Sequence, residues 1–165
     1  MSGVSPFLLT LPVLFQGLAM VFDEFIFHRR RGLPRWERIG HPIDTVGVLL
    51  CLGWLLSRPP ESGPLFGYAL LAVGSCLLVT KDEWVHAGRC SRGEHWLHAL
   101  LFVLHPMVLA ANAVLWWQGQ VSPWLWAQLG AMIIFLLYQV FYWNYFFTPE
   151  RVPERAGHHG ERRGQ

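Results

Sequence analysis

The sequence predicts an all-α integral membrane protein: a single domain, residues 1–147, built as a bundle of about five transmembrane helices. Of the 165 residues, 53% are apolar and only 15% are charged, whereas soluble domains average about 25% charged residues. The charges are also confined to short segments. No Asp, Glu, Lys or Arg precedes Asp23, and none lies between His95 and Pro149. The second gap is long enough for two crossings of about 20 residues each.

Five apolar segments are predicted to span the bilayer, at residues 6–28, 42–57, 64–86, 94–117 and 123–147. Proline begins the second, third and fifth of them, at Pro42, Pro64 and Pro123. Proline suits the first turn of a helix because the backbone donor that it lacks has no intrahelical partner there. The polar remainder, residues 148–165, is predicted to be a flexible basic tail.

The basic residues set the expected orientation. Twelve of the 13 Lys and Arg residues lie in the first and third connections and in the tail. Five spans place these three segments on one side of the membrane, and the positive-inside rule makes that side cytoplasmic. We therefore expect an external N-terminus, a cytoplasmic C-terminus and a multi-pass location in the inner or plasma membrane. The net charge of +2 does not indicate a nucleic-acid partner.

Aromatic residues near the span ends predict an interfacial belt on each side of the membrane. The outer belt comprises Trp116, Trp117, Trp124 and Trp126, and the inner belt comprises Tyr142, Trp143 and Tyr145.

Carboxylates and imidazoles recur at the predicted cytoplasmic ends of four helices. Residues three or four apart share a helix face, and this spacing pairs one acid with one histidine in each helix. Such side chains are costly near lipid and usually mark a functional site, and together they form a common ligand set for iron, manganese or zinc. The candidate metal ligands are Glu24, His28, His41, Asp44, Asp82, Glu83, His86, Glu94, His95, His98 and His105.

Other polar residues receive supporting roles. Asp23 is expected to orient a ligand imidazole, as acids beside metal-bound histidines commonly do. Gln139, Tyr142 and Asn144, on the fifth span, are candidate contacts of a ligand or substrate. Glu37 stands between Arg35 and Arg38, and pairing with these arginines is its expected role.

His105 is the deepest candidate. It follows His98 by seven residues, which places it about 10 Å further into the membrane on the same helix face. Pro106 is expected to kink this helix and to widen a cavity beside His105. His105 is predicted to bind metal or to contact a metal ligand. The alternative is one hydrogen bond to a neighbouring helix, for example to Asp44 or Asn144.

The sequences Glu83-x-x-His86 and Glu94-His95-x-x-His98 resemble the histidine boxes of integral-membrane desaturases and hydroxylases. The resemblance covers residues 82–98, and the doubled-histidine box of that family is absent. It implies two irons held at cytoplasmic helix ends, oxygen activation and a lipid-like substrate that enters sideways from the bilayer. A donor protein would supply the electrons.

Three functions fit these observations. The first is a di-iron oxidoreductase acting on an apolar small molecule or lipid, with Glu83 and Glu94 as candidate catalytic acids. The second is a zinc-dependent hydrolase of a lipid amide or ester, in which one of the same acids would be the base for a metal-bound water. The third is a membrane subunit that binds metal or haem without catalysing a reaction.

Overall fold

The computed structural model is a bundle of five long helices. It describes residues 4–82, 91–119 and 123–147, apart from the side chains of residues 31 and 82. Glu83, His86 and the tail at 148–165 therefore lie outside the described residues, so the roles predicted for them stay predictions.

The long helices are labelled α1 to α5 in chain order. Three of them continue in short segments of different winding: π1 follows α1, a 3₁₀ turn follows α3, and π2 follows α5. The bounds are α1 Pro6–Phe22, π1 Asp23–His28 with a further α-helical turn Arg29–Arg31, α2 Arg35–Leu56, α3 Ser62–Val79 with the 3₁₀ turn Thr80–Asp82, α4 Arg92–Trp117, α5 Pro123–Phe141 and π2 Tyr142–Phe146.

Each of the five long helices, with its continuation, has the length and apolar character needed to cross a membrane. The prediction of five such segments is thus confirmed in the described part of the chain. Large apolar side chains also cover the outside of the bundle; Phe7, Leu77 and Ile134 are each about two-thirds exposed, at 68%, 66% and 70%. An exterior of this kind suits lipid rather than water, and five such helices indicate a multi-pass membrane protein. The orientation stays a prediction.

Each helix packs against one to three of the others. α1 packs mainly against α4, α2 packs against α3 and α5, and α3 also packs against α4. We call the half of the bundle that contains His28 the inner half and the half that contains Trp116 the outer half. In the outer half, residues of α2, α3, α4 and α5 form an apolar core. Cys51, Leu52 and Trp116 of this core are almost fully buried.

α2 begins seven residues earlier than the sequence predicts. Its first residue is Arg35, preceded by Pro34 in extended conformation, and Pro42 lies inside the helix. Proline in that position removes one backbone hydrogen bond, yet the helix continues through it. The consequence is that Glu37 and His41, four residues apart, share a helix face.

Two tryptophans depart from the predicted interfacial belts. Trp116 is 0% exposed and Trp143 only 1%. Buried indole groups usually need a hydrogen-bond acceptor, and both have one: Trp116 donates to the carbonyl of Arg58 at 3.0 Å, and Trp143 donates to Glu24. Trp117, Trp124 and Trp126 are at least half exposed, as the outer belt requires, and inner-belt Tyr145 is 76% exposed.

Candidate metal centre

Four buried side chains from two helices converge at the inner end of the bundle. π1 supplies Asp23 and His28, and the first turns of α4 supply Glu94 and His98. One possible ligand atom from each side chain lies within 4.8 Å of the others. All four residues are at most 6% exposed. Glu94 also caps α4, because its Oε2 accepts a bond from the backbone of Ser91 and Ser91 Oγ accepts from the backbone of Glu94.

The π-helical winding of π1 decides which acids meet His28. In an α-helix the residue four positions before His28, which is Glu24, would be its neighbour. A π-helix is wider and bonds residue i to i+5, so Asp23 also comes beside the imidazole. His28 Nδ1 lies 3.2 Å from Glu24 Oε2, and His28 Nε2 lies 3.3 Å from Asp23 Oδ2. Asp23, expected from sequence only to orient a ligand, is therefore placed within the ligand group.

Asp23 stands between the two histidines. Its Oδ2 atom is 3.3 Å from His28 Nε2 and 3.3 Å from His98 Nε2. Its other oxygen, Oδ1, is buried and has no hydrogen-bond partner among the described residues. Two atoms bound to one ion at right angles, each about 2.1 Å from it, would be about 3 Å apart. The spacing at Asp23 therefore suits a shared cation.

Glu24 fixes the proton on His28. A carboxylate can only accept, so the contact between Glu24 Oε2 and His28 Nδ1 places a proton on Nδ1. In the neutral ring this leaves a lone pair on Nε2, which has no hydrogen-bond partner in the described part of the chain. Trp143 holds the other oxygen of Glu24. Carboxylates commonly orient metal-binding histidines in this way, so Glu24 fits the supporting role better than that of a ligand.

A second group lies beside the first. It consists of His28, Glu37 and His41, and the rings of the two histidines are 4.9 Å apart. Glu37 is 0% exposed, and the neighbouring Arg38 donates its Nε proton to the carbonyl of Leu33 at 2.7 Å. The sequence analysis expects Glu37 to pair with Arg35 and Arg38, between which it stands, and that pairing stays a prediction. The four-residue spacing to His41 was the signal for its place in the site.

Several sequence candidates lie around these groups rather than in them. Asp44 holds Lys81 Nζ with both carboxylate oxygens at 2.7 Å, which makes it an ion-pair partner. Gln139 is buried and accepts a hydrogen bond from Thr45 Oγ1 at 2.8 Å. Half-buried His95 belongs to neither group that the described residues form.

Tyr142 and Asn144, both predicted to contact a ligand or substrate, lie in π2 and have different surroundings. Tyr142 stacks on Tyr138, with ring centroids 5.0 Å apart. Asn144 is exposed, and its amide donates to the carbonyl of Val140 at 2.7 Å. The predicted contact of Asn144 with a ligand or substrate stays a prediction.

His105 has two protein partners. Ser75 Oγ lies 3.0 Å from its Nε2, and the amide nitrogen of Gln16 lies 3.4 Å from its Nδ1. If the amide donates to Nδ1, the ring proton sits on Nε2 and is donated to Ser75. His105 belongs to neither ligand group in the described residues. The sequence alternative, a hydrogen bond to a neighbouring helix, fits this geometry, but the partners are on α1 and α3 instead of being Asp44 or Asn144.

A cavity of about 120 Å³ connects His105 with the ligand group. His28, His41 and His98 line its inner end, and Gln16 and His105 line its deep end. Between these ends the wall is largely apolar, with contributions from Met20, Val48, Leu101, Phe102, Met132 and Phe135. A small apolar group could therefore lie beside the candidate metal ligands.

The charge of the site also fits metal ions. Asp23, Glu24, Glu37 and Glu94 are all at most 5% exposed and together carry a formal charge of about −4 if ionised. Buried carboxylates without compensating charge are very costly. Lys81, on the 3₁₀ turn after α3, is paired with Asp44, which lines the cavity. Two divalent ions would carry a formal charge equal and opposite to that of the four acids. The buried group could thus hold metal, although the geometry does not select one element.

The chain matches no family model, and neither a curated protein nor a solved structure is significantly similar to it.

Proposed function

We propose that this protein is a membrane oxidoreductase with a dinuclear iron centre that oxidises an apolar substrate at the inner side of the bilayer. The observation that carries the proposal is the Asp23 carboxylate, 3.3 Å from a ring nitrogen of both His28 and His98, beside a second acid–histidine group. Dinuclear carboxylate centres in helical bundles use this combination of bridging acids and histidines.

The donor set is compatible with iron. Both groups contain only carboxylate oxygens and imidazole nitrogens, the ligands typical of non-haem iron sites. Cys51 and Cys76 lie elsewhere, Cys51 in the outer core, so no thiolate in the described residues adds to the set. When bound, iron would supply dioxygen activation. The overall reaction would combine a substrate C–H bond, dioxygen, two electrons and two protons into an alcohol and water.

The residues around the groups would prepare the site for this reaction. Trp143 and Glu24 hold His28 with Nε2 facing Asp23. Glu94 is the buried acid in the first turn of α4, and it remains the candidate for proton transfer. Met20, Phe102 and Phe135 would exclude water from the substrate, which would occupy the cavity as a single apolar segment. Electrons would come from a donor protein on the cytoplasmic side.

Haem binding and zinc-dependent hydrolysis are the alternative functions, and each would use these ligands differently. Haem held between His28 and His98 would need a porphyrin between the two rings, but one Asp23 oxygen contacts both. A zinc hydrolase would use the same ligands with a bound water as nucleophile, and the metal content separates it from an iron enzyme.

The test is metal analysis of the purified protein together with its absorption spectrum. The proposal expects about two irons per chain and no Soret band. His98→Ala and Asp23→Asn should each lose most of the iron while the protein stays in the membrane. His95→Ala is the matched control, since His95 lies on the same helix outside both groups. Zinc in place of iron, or full iron content in both ligand variants, would overturn the proposal.

A further inference from the structure

A second cavity lies in the outer half of the bundle, remote from the candidate metal centre. Its volume is about 210 Å³, and residues of α1, α4 and α5 line it. Asn112 of α4 lines it, 14 residues beyond His98, which corresponds to about 21 Å along the helix. None of the residues that line this cavity lines the inner one.

Asn112 is a buried polar residue in the wall of this cavity. The residue is 1% exposed, and among the described residues neither its amide nitrogen nor its amide oxygen has a hydrogen-bond partner. A buried amide with both atoms unsatisfied is rare in folded proteins, and each such group calls for an explanation. A ligand that can both donate and accept would satisfy the amide at one position.

The rest of the wall is mainly apolar. Val13, Leu115, Trp124 and Leu125 face the cavity, and its polar residues besides Asn112 are Thr10, whose hydroxyl donates to the carbonyl of Phe7, and Gln128. Water inside the cavity would therefore find few partners. A cavity of about 150 Å³ lined by aliphatic and aromatic side chains binds benzene. The present cavity is somewhat larger, which suits one ring with a substituent. Trp124 offers an aromatic surface against which a ring can pack.

The cavity is accessible from the bilayer. Leu14, at its rim, is 48% exposed, and Ala127 and Ala131 are exposed on the outer face of α5. α1 packs on α4 while α5 packs on α2, so α1 and α5 are not each other's principal partners. A lipid-soluble molecule could enter between them. A lipid acyl chain could enter as well, but it has no group to satisfy Asn112.

We propose that this outer cavity binds a lipid-soluble, single-ring molecule of the phenol class, whose hydroxyl group donates to Asn112 Oδ1 and accepts from Asn112 Nδ2. The site is separate from the metal centre and does not depend on the function proposed for it.

The experiment compares 4-fluorophenol with 4-fluorotoluene, which lacks the hydroxyl group, by fluorine NMR titration of the purified full-length protein. Wild type should bind the phenol about three- to tenfold more tightly, the preference that one net hydrogen bond gives. Asn112→Leu should bind the two probes equally while keeping its metal content. All proteins are measured in the same detergent, so that probe partitioning is the same for each.

Asn144→Leu is the matched control. It makes the same substitution at an exposed position, and it should keep the wild-type preference. Ala131→Phe provides a second test that leaves Asn112 intact: the new ring should fill the cavity and weaken binding of both probes. Three results would each overturn the proposal. They are equal binding of the two probes to wild type, an undiminished preference for the phenol in Asn112→Leu, and unchanged binding of both probes in Ala131→Phe.

Discussion

The indole nitrogen of Trp143 donates a hydrogen bond to Oε1 of Glu24, which joins the inner end of the fifth span to that of the first. The other oxygen of Glu24 holds the imidazole of His28. A residue in π2 thus fixes the orientation of a candidate metal ligand in π1, although 115 positions separate Trp143 from His28 in the chain.

Trp143→Phe removes the indole donor and keeps an aromatic ring. We expect metal affinity to fall by about 10–100-fold, the usual effect of losing a group that orients a metal ligand. Metal retained during dialysis against graded chelator concentrations measures this. Trp126→Phe, at an exposed outer position, is the control and should retain metal like wild type. Equal retention in the two variants would show that the bond to Glu24 has no bearing on the metal.

Asp23 and Asp44 should respond differently to the same substitution. Asp23→Asn removes a charge from the ligand group and should lower the bound metal sharply. Asp44→Asn breaks the pair with Lys81 but leaves both groups intact, so metal content should stay close to wild type. Elemental analysis of the two purified variants decides between them. Loss of metal in Asp44→Asn would restore Asp44 to the ligands predicted from sequence.

His105→Leu should keep its metal. Ser75 and Gln16 hold the ring of His105, so its loss affects hydrogen bonding in the core rather than coordination. The variant should be destabilised by about 1–3 kcal/mol, because buried Ser75 and half-buried Gln16 each lose a hydrogen-bond partner. Metal analysis and thermal unfolding in detergent measure the two effects. A folded variant without metal would instead make His105 a ligand.

Gly67→Ala should destabilise the contact between α2 and α3. A Cβ atom at Gly67 would lie 2.3 Å from Cζ2 of Trp54. That indole is held in place, because its nitrogen donates to the carbonyl of Pro64 at 2.8 Å and Arg58 covers its ring at 3.7 Å. Overpacking of this kind costs about 1–3 kcal/mol, which should appear as a lower unfolding midpoint.

Gly74→Ala is the matched control for that substitution. Gly74 lies on the same helix, and no atom is within 4 Å of a Cβ built there. Alanine should leave stability unchanged or raise it by up to about 1 kcal/mol through helix propensity. Equal midpoints for the two alanine variants would mean that the contact between Gly67 and Trp54 does not constrain packing.

The orientation is tested by reporter fusions. A reporter after Gln165 should read cytoplasmic and one inserted near Ser62 should read external, since 12 of the 13 basic residues then lie inside. An external C-terminus would reverse the bundle and place the acid–histidine groups on the opposite side of the membrane.

The sequence by itself determined the class of the protein and the depth of its polar residues. Lipid leaves few ways to satisfy a backbone, so apolar segments of span length predict helices, and five were found. The spacing of charges along the chain likewise placed acids and histidines such as His28 and His98 at helix ends. These properties depend on neighbours within one helix, which periodicity describes.

Only the tertiary structure decided which of those groups meet. The π-helical turn brings Asp23 beside His28, where α-helical periodicity pairs His28 with Glu24 alone. The early start of α2 places Glu37 in the site, and the fifth span supplies Trp143 to Glu24. Partners on different helices depend on the rotation and depth of each helix in the bundle. Packing of whole helix surfaces sets that rotation and depth, and no local spacing in the sequence records them.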